Sequence, residues 1–170
     1  ATSTIFNILG PLTNPAHVNY ELLGCYDVNL LETLAKALKL TGVQRGMVIN
    51  GNGMDEISIF GSTKVSELLA DGSIKNYELT NKDFGITGNY TQNDLLGGTP
   101  EENAATARLI LSGKGNDAHN AVISANVSAM LHLAGKTESF KDGFEIAMDA
   151  VKSGHGIEKL DAISKITSEA

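Results

Sequence analysis

Apolar residues recur along this chain with two different spacings, and the spacing changes with position. Tyr20 to Tyr26 and Gly46 to Asn50 are short apolar runs of strand length, the second bounded by a glycine turn. Between them Leu30, Leu31, Leu34, Ala35 and Leu38 fall at i, i+1, i+4, i+5 and i+8, the stripe of a helix over Val28 to Leu40. Gly42 stands where such a helix stops. Strand, helix and strand make a βαβ unit, whose strands are expected to be parallel and joined by a right-handed crossover. Ile57 to Phe60 reads as a further short strand. Val65 to Leu69 and Ile74 to Leu79 flank Ala70-Asp71-Gly72-Ser73, and Asp-Gly there signals a hairpin.

Beyond Asn81 the spacing becomes helical. Thr99-Pro100-Glu101-Glu102 places a threonine cap, proline at the first helical position and glutamate at N3, a capping box. Gly113 is the expected stop. Asp117 to Ala134 reads as a second helix, with Ala118, Val122, Ala125, Ala129 and His132 on one side. Ser139 opens a third, with Phe140, Phe144, Ala147, Met148 and Val151 as its stripe up to Gly154. A last amphipathic set runs from Ile157 to Ile166. The expected fold is α/β: a mixed, mainly parallel sheet with flanking helices and a helical C-terminal part, in one domain over residues 1–170.

Composition narrows what such a domain does. At 170 residues one sizeable core fits. The net charge of −7 is interspersed, with no basic stripe for nucleic acid and no attraction to an anionic membrane surface. No run is long enough to span a bilayer and no signal-like start is present. Cys25 is the only cysteine, so no internal disulfide forms, which suits a reducing cytoplasm. In its apolar run it reads as a small buried hydrophobe.

The most informative stretch is Asn50-Gly51-Asn52-Gly53-Met54-Asp55-Glu56. Gly51 and Gly53 allow positive φ and close backbone approach at a strand's carboxyl end, where open α/β sheets bind ligands. Asp55 and Glu56 put two carboxylates on that rim, donors that suit Mg2+ completed by phosphates and water. Taken alone, they read more simply as the solvated residues of an acidic turn.

The opening Thr4-Ile5-Phe6-Asn7-Ile8-Leu9-Gly10-Pro11-Leu12-Thr13-Asn14-Pro15-Ala16 resembles the signature of the anthranilate phosphoribosyltransferase family. Gly53-Met54-Asp55-Glu56-Ile57-Ser58 is similar to its metal-binding segment. Asp83-Phe84-Gly85, Gly97-Gly98-Thr99-Pro100-Glu101-Glu102-Asn103 and the glycines after Leu111 follow in the family's order. The resemblance implies a nucleoside phosphorylase/phosphoribosyltransferase-like C-terminal domain. It implies that Asp55 and Glu56 bind Mg2+ beside the pyrophosphate of phosphoribosyl pyrophosphate. It also implies that Gly10 and Pro11 line the channel for anthranilate, though Gly-Pro and Asn-Pro mark turns without any ligand.

Members of that family run to about twice this length, with the additional part N-terminal. There they carry the Gly-rich pyrophosphate loop, which has no counterpart in this chain, and the domain through which they form homodimers. The chain is therefore expected to be the C-terminal part of a two-domain enzyme and to be inactive alone. The parent would transfer phosphoribosyl to anthranilate, giving N-(5-phosphoribosyl)anthranilate and pyrophosphate in tryptophan biosynthesis. The alternatives are a pyrimidine-nucleoside phosphorylase-like enzyme or a catalytically silent domain.

Two positions depart from the family pattern. Ser3 stands where an arginine pairs with the anthranilate carboxylate; a hydroxyl offers one neutral hydrogen bond in place of a bidentate guanidinium. Either Ala1-Thr2-Ser3 is an artificial start or the arginine is replaced. In Ile123-Ser124-Ala125-Asn126-Val127 the asparagine is displaced from the relatives' Leu-Asn-Ala-Gly, so Asn126 reads as satisfying nearby backbone. His17, His119, His132 and His155 lack zinc-pair spacing and read as structural. Glu101 and Glu102 read as helix-dipole partners.

Overall fold

Four strands pair into a single sheet in the computed structural model of this chain, which describes residues 10, 12, 13 and 15–168. They are β1 (Tyr20–Gly24), β2 (Arg45–Gly51), β3 (Thr63–Leu68) and β4 (Ile74–Leu79), side by side in that order. β1 and β2 are parallel, with Leu22 opposite Met47 and Gly24 opposite Ile49. The other two pairings are antiparallel. The sheet is mixed as expected, but its parallel share is smaller than the sequence suggests. Residues 52–62 are too few for a helical crossover, so β3 returns beside β2 antiparallel. Gly72 (φ +79°) and the Asp71 carboxylate, which accepts the Ser73 N–H at 2.8 Å, then fold β4 back as the predicted hairpin.

Ile57 to Phe60 is not the strand its apolar pattern suggested. Ile57 and Ile59 are fully buried, so the pattern reports burial. The segment's backbone donors go to side chains: Ile57 N–H to Asn126 Oδ1 (3.2 Å), Ser58 N–H to Thr63 Oγ1 (2.9 Å) and Phe60 N–H to Ser58 Oγ (3.3 Å). Donors spent this way form no ladder.

One face of the sheet is covered by α1 (Leu31–Leu40), which buries Leu31, Leu34, Ala35 and Leu38 against Val48 and Leu68. It starts later than the spacing predicted, because Val28–Leu30 forms a 3-10 turn capped by the Asp27 carboxylate. Gly42 (φ +92°) follows its end. Cys25 is buried in this layer, its thiol donating to the Asp27 carbonyl at 3.3 Å.

The opposite face carries the C-terminal helices. After the short α2 (Asn81–Phe84) come α3 (Pro100–Leu111), α4 (Asp117–Leu133), α5 (Phe140–Ser153) and α6 (Gly156–Ser168). The predicted box opens α3: Glu102 accepts the Thr99 N–H at 2.7 Å and Thr99 Oγ1 accepts the Glu102 N–H at 3.3 Å. α4 is the central element of this layer. Its Ala118, Ala121, Ala125 and Ala129 are buried against the sheet core of Met47, Ile49 and Val65, and short side chains let the two layers approach closely. Gly143 does the same for α5 on α4: a Cβ there would stand 2.8 Å from Ser128 Oγ, which itself donates to the Phe140 carbonyl at 2.6 Å. Nothing in α6 is buried. No helix among the described residues is long and apolar enough to cross a membrane.

Where β2 begins, the core becomes polar. Glu67, 4% exposed, accepts from Arg45 Nη2 (3.1 Å) and the Tyr77 hydroxyl (2.9 Å), with His132 Nε2 at 3.8 Å. Arg45 also donates to the His132 carbonyl at 3.2 Å, tying the end of α4 to the sheet. Burial, and then the Glu67 charge, raise the Tyr77 pKa. Desolvation holds the His132 pKa below 6.5 despite Glu67, with Arg45 adding to the depression. The unfolded chain therefore binds a proton at His132 more readily than the folded one. Stability is expected to be fully present above pH 6.5 and to fall on acidification through the lower folded value. Urea unfolding midpoints against pH check this: His132→Gln should flatten the fall, and an unchanged slope would assign it to other groups.

Candidate active site

The acidic segment is built by the chain's reversal after β2. Gly51 N–H donates to the Met54 carbonyl (2.9 Å) and Met54 N–H to that of Gly51 (3.1 Å), closing a two-residue turn. Both central residues are left-handed, Asn52 at φ +55° and Gly53 at φ +90°, as a type I′ turn requires. Positive φ thus falls on Asn52 and Gly53, whereas the sequence had suggested Gly51 and Gly53. What Gly51 provides is the close approach: a Cβ there would lie 2.6 Å from Ser58 N and overlap the Glu56 carbonyl oxygen. Gly24, at the end of β1, gives the same room to Asp55, whose carbonyl carbon would lie 2.6 Å from an added Cβ. Two glycines at adjacent strand ends are the seat of the acidic pair.

Asn50 locks this seat. Buried at the end of β2, its Nδ2 donates to the carbonyls of Cys25 (2.8 Å) and Tyr26 (3.1 Å), and its Oδ1 accepts the Gly53 N–H (3.1 Å). Sequence reasoning gave Asn50 no such task. The available signal was a polar residue closing an apolar strand just before a glycine.

Asp55 and Glu56 are both exposed, on the rim of a 510 Å³ cavity walled also by Leu95, His119, Val122 and Ile123. Partial desolvation of its carboxyl group, and then the Asp55 charge, raise the Glu56 pKa above the ordinary 4.5. Two adjacent carboxylates that repel one another are a ready place for a cation. Among the described residues no group of three His, Cys, Asp or Glu assembles. A cation here would have two carboxylates from the protein and would need its remaining ligands from phosphate or water, the habit of Mg2+ rather than of a caged metal. The donor set fits.

His119, read from sequence as structural, shares this cavity, and its backbone N–H donates to the side-chain Oδ1 of Asn116, the cap of α4, at 2.7 Å. Gly10 is not brought to it. That residue lies with Tyr20, Leu22 and Met130 on a separate 510 Å³ cavity, at the other end of β1 from Gly24. The carboxylate on that cavity is Glu21, whose pKa burial raises; no lysine or arginine lines it among the described residues. Ser3 and Pro11 lie outside the described residues.

Comparison with known proteins gives the arrangement a context. Residues 1–157 match the model of the glycosyl transferase family, a/b domain. Anthranilate phosphoribosyltransferase of Shewanella sp. (strain MR-4) is 43% identical over 169 residues, which is 99% of this chain and 48% of the relative. Among solved structures, anthranilate phosphoribosyltransferase from Thermus thermophilus superposes with a TM-score of 0.85 at 35% identity, covering 95% of this chain and 47% of that one. A variant of the enzyme from Saccharomyces cerevisiae with Mg bound gives a TM-score of 0.80 at 30% identity, covering 94% and 46%. The chain spans about half the length of the curated relatives it matches, 48% of the Shewanella protein.

Proposed function

Since the chain belongs to the glycosyl transferase family, as its α/β domain, we propose that the protein it comes from is an anthranilate phosphoribosyltransferase. That enzyme joins the amino nitrogen of anthranilate to C1 of the ribosyl group of phosphoribosyl pyrophosphate and releases pyrophosphate. The observation that carries the reading is the seated Asp55–Glu56 pair on its cavity rim, in a chain whose relatives bear that name.

As the C1–O bond breaks, positive charge develops on the ribosyl ring and negative charge on the leaving pyrophosphate. Asp55 and Glu56 are the residues that would hold Mg2+, which when bound supplies positive charge to that leaving group. The two carboxylates act by staying ionised and fixed, and no proton need pass through either. Leu95, Val122 and Ile123 make the inner wall of the cavity apolar, which strengthens charge interactions at its rim. Gly10 and Pro11 belong to the acceptor channel in this reading, and Ser3 stands at the sequence position of the family's carboxylate-binding arginine. The complete protein acts in the cytoplasm as a homodimer joined through its N-terminal domain.

These 170 residues hold no Gly-rich loop for the pyrophosphate. The isolated chain is expected to show no transferase turnover in a continuous assay of anthranilate fluorescence, and the complete polypeptide to consume anthranilate in the presence of Mg2+. Robust turnover by the chain alone would contradict the first expectation. A complete polypeptide that leaves anthranilate untouched would contradict the reading itself.

A further inference from the structure

Asn126 does not line the acidic cavity, yet it bonds the segment that carries the acidic pair. Its Oδ1 accepts the N–H of Ile57 at 3.2 Å, across 69 residues of sequence, and its Nδ2 donates to the Val122 carbonyl one turn back at 2.9 Å. The orientation of the amide follows from its partners: one is a donor and the other an acceptor, so only one flip satisfies both. Ile57 is fully buried, so water is no substitute acceptor for its N–H.

Asn50 makes the matching bond at the other end, accepting the Gly53 N–H at 3.1 Å. The stretch Met54-Asp55-Glu56 is thus held between two amide oxygens, one from the end of β2 and one from the middle of α4. Adjacent carboxylates repel, and a backbone tied on both sides of them lowers the ordering cost when a cation arrives. α4 also supplies Val122 and Ile123 to the cavity wall, so the wall and the tether move together.

We propose that Asn126 is a positioning residue that aims the Asp55 and Glu56 carboxylates and couples the cation site to helix α4. This rests on the assignment of those carboxylates to a divalent cation. It gives Asn126 a task beyond satisfying nearby backbone, because the backbone group it satisfies is the one immediately after Glu56.

The test uses the complete polypeptide with Mn2+ alone as a paramagnetic probe, read by electron paramagnetic resonance, alongside hydrogen exchange of the Ile57 amide. Asn126→Ala is expected to weaken Mn2+ binding about tenfold, within the range for groups that orient metal ligands, and to expose the Ile57 amide to exchange. Asn126→Asp, which keeps an acceptor for that N–H, recovers amide protection and binding. Should Asn126→Ala fail to fold, Asn126→Ser takes its place: its hydroxyl bonds back to the helix but is too short to reach Ile57, so the same loss is expected. Asp55→Asn serves as the reference and is expected to lose Mn2+ binding. Unchanged binding in Asp55→Asn would overturn the cation assignment. Weak binding in Asp55→Asn with wild-type binding in Asn126→Ala or Asn126→Ser would overturn the positioning role alone.

Discussion

In the complete enzyme, Asp55→Asn is expected to lower kcat/KM by about 10²–10³-fold, the scale of losing one fixed electrostatic stabiliser of the transition state. Its melting temperature should hardly move. Asp55 is exposed, and among the described residues no hydrogen bond or ion pair holds its side chain; such surface changes usually stay within about 0.5 kcal/mol. Glu56→Gln should lose activity similarly and hold or gain stability. The raised pKa of Glu56 means the folded chain resists its negative charge, first by desolvation and then through Asp55, and glutamine removes that charge. Activity and stability therefore move in opposite directions at one residue, the sign of a site kept for binding rather than for folding. The check is a Mg2+ titration of turnover beside thermal melts for both variants. Wild-type turnover with unchanged Mg2+ dependence in both would remove these carboxylates from the reaction.

The largest effect on stability is expected from Gly24→Ala. The atoms in its way are the Asp55 backbone carbonyl, with its carbon 2.6 Å from the new Cβ, and then the Asp55 Cβ, the root of that side chain, at 2.8 Å. Neither moves without shifting the turn that Asn50 holds at Gly53. Overpacking of this kind costs about 3 kcal/mol. In a domain of this size that lowers the melting temperature by roughly 6–12 °C. Gly10→Ala is the matched control, since an added Cβ there meets no atom of the described residues within 4 Å. Differential scanning calorimetry of the two variants decides it. Equal melting temperatures would mean that β1 and the acidic turn do not press together as described.

Local signals carried far along this chain. The α1 stripe, the Thr99 box, the Asp71-Gly72 hairpin and the stops at Gly42 and Gly113 were legible because each needs only neighbours within a turn or two. Ile57 to Phe60 misled for the complementary reason. An alternating apolar pattern reports which side chains are buried, and says nothing of whether the backbone donors meet another strand or side chains such as Asn126 and Thr63. Glu67 was equally silent. A carboxylate in a strand gives no sign that Arg45, Tyr77 and His132 will close around it.

The sequence by itself determined the class of fold, the positions of the main helices and the pair of carboxylates on which the proposed chemistry rests. Periodicity, capping and turn propensity act over short stretches, and Asp55-Glu56 is an unbroken motif. Only the tertiary structure decided what holds that pair in place. Gly24 passes beneath Asp55 from a different strand, and Asn126 reaches Ile57 from a helix 69 residues away. Contacts of that range depend on how the layers pack, and no local spacing encodes them.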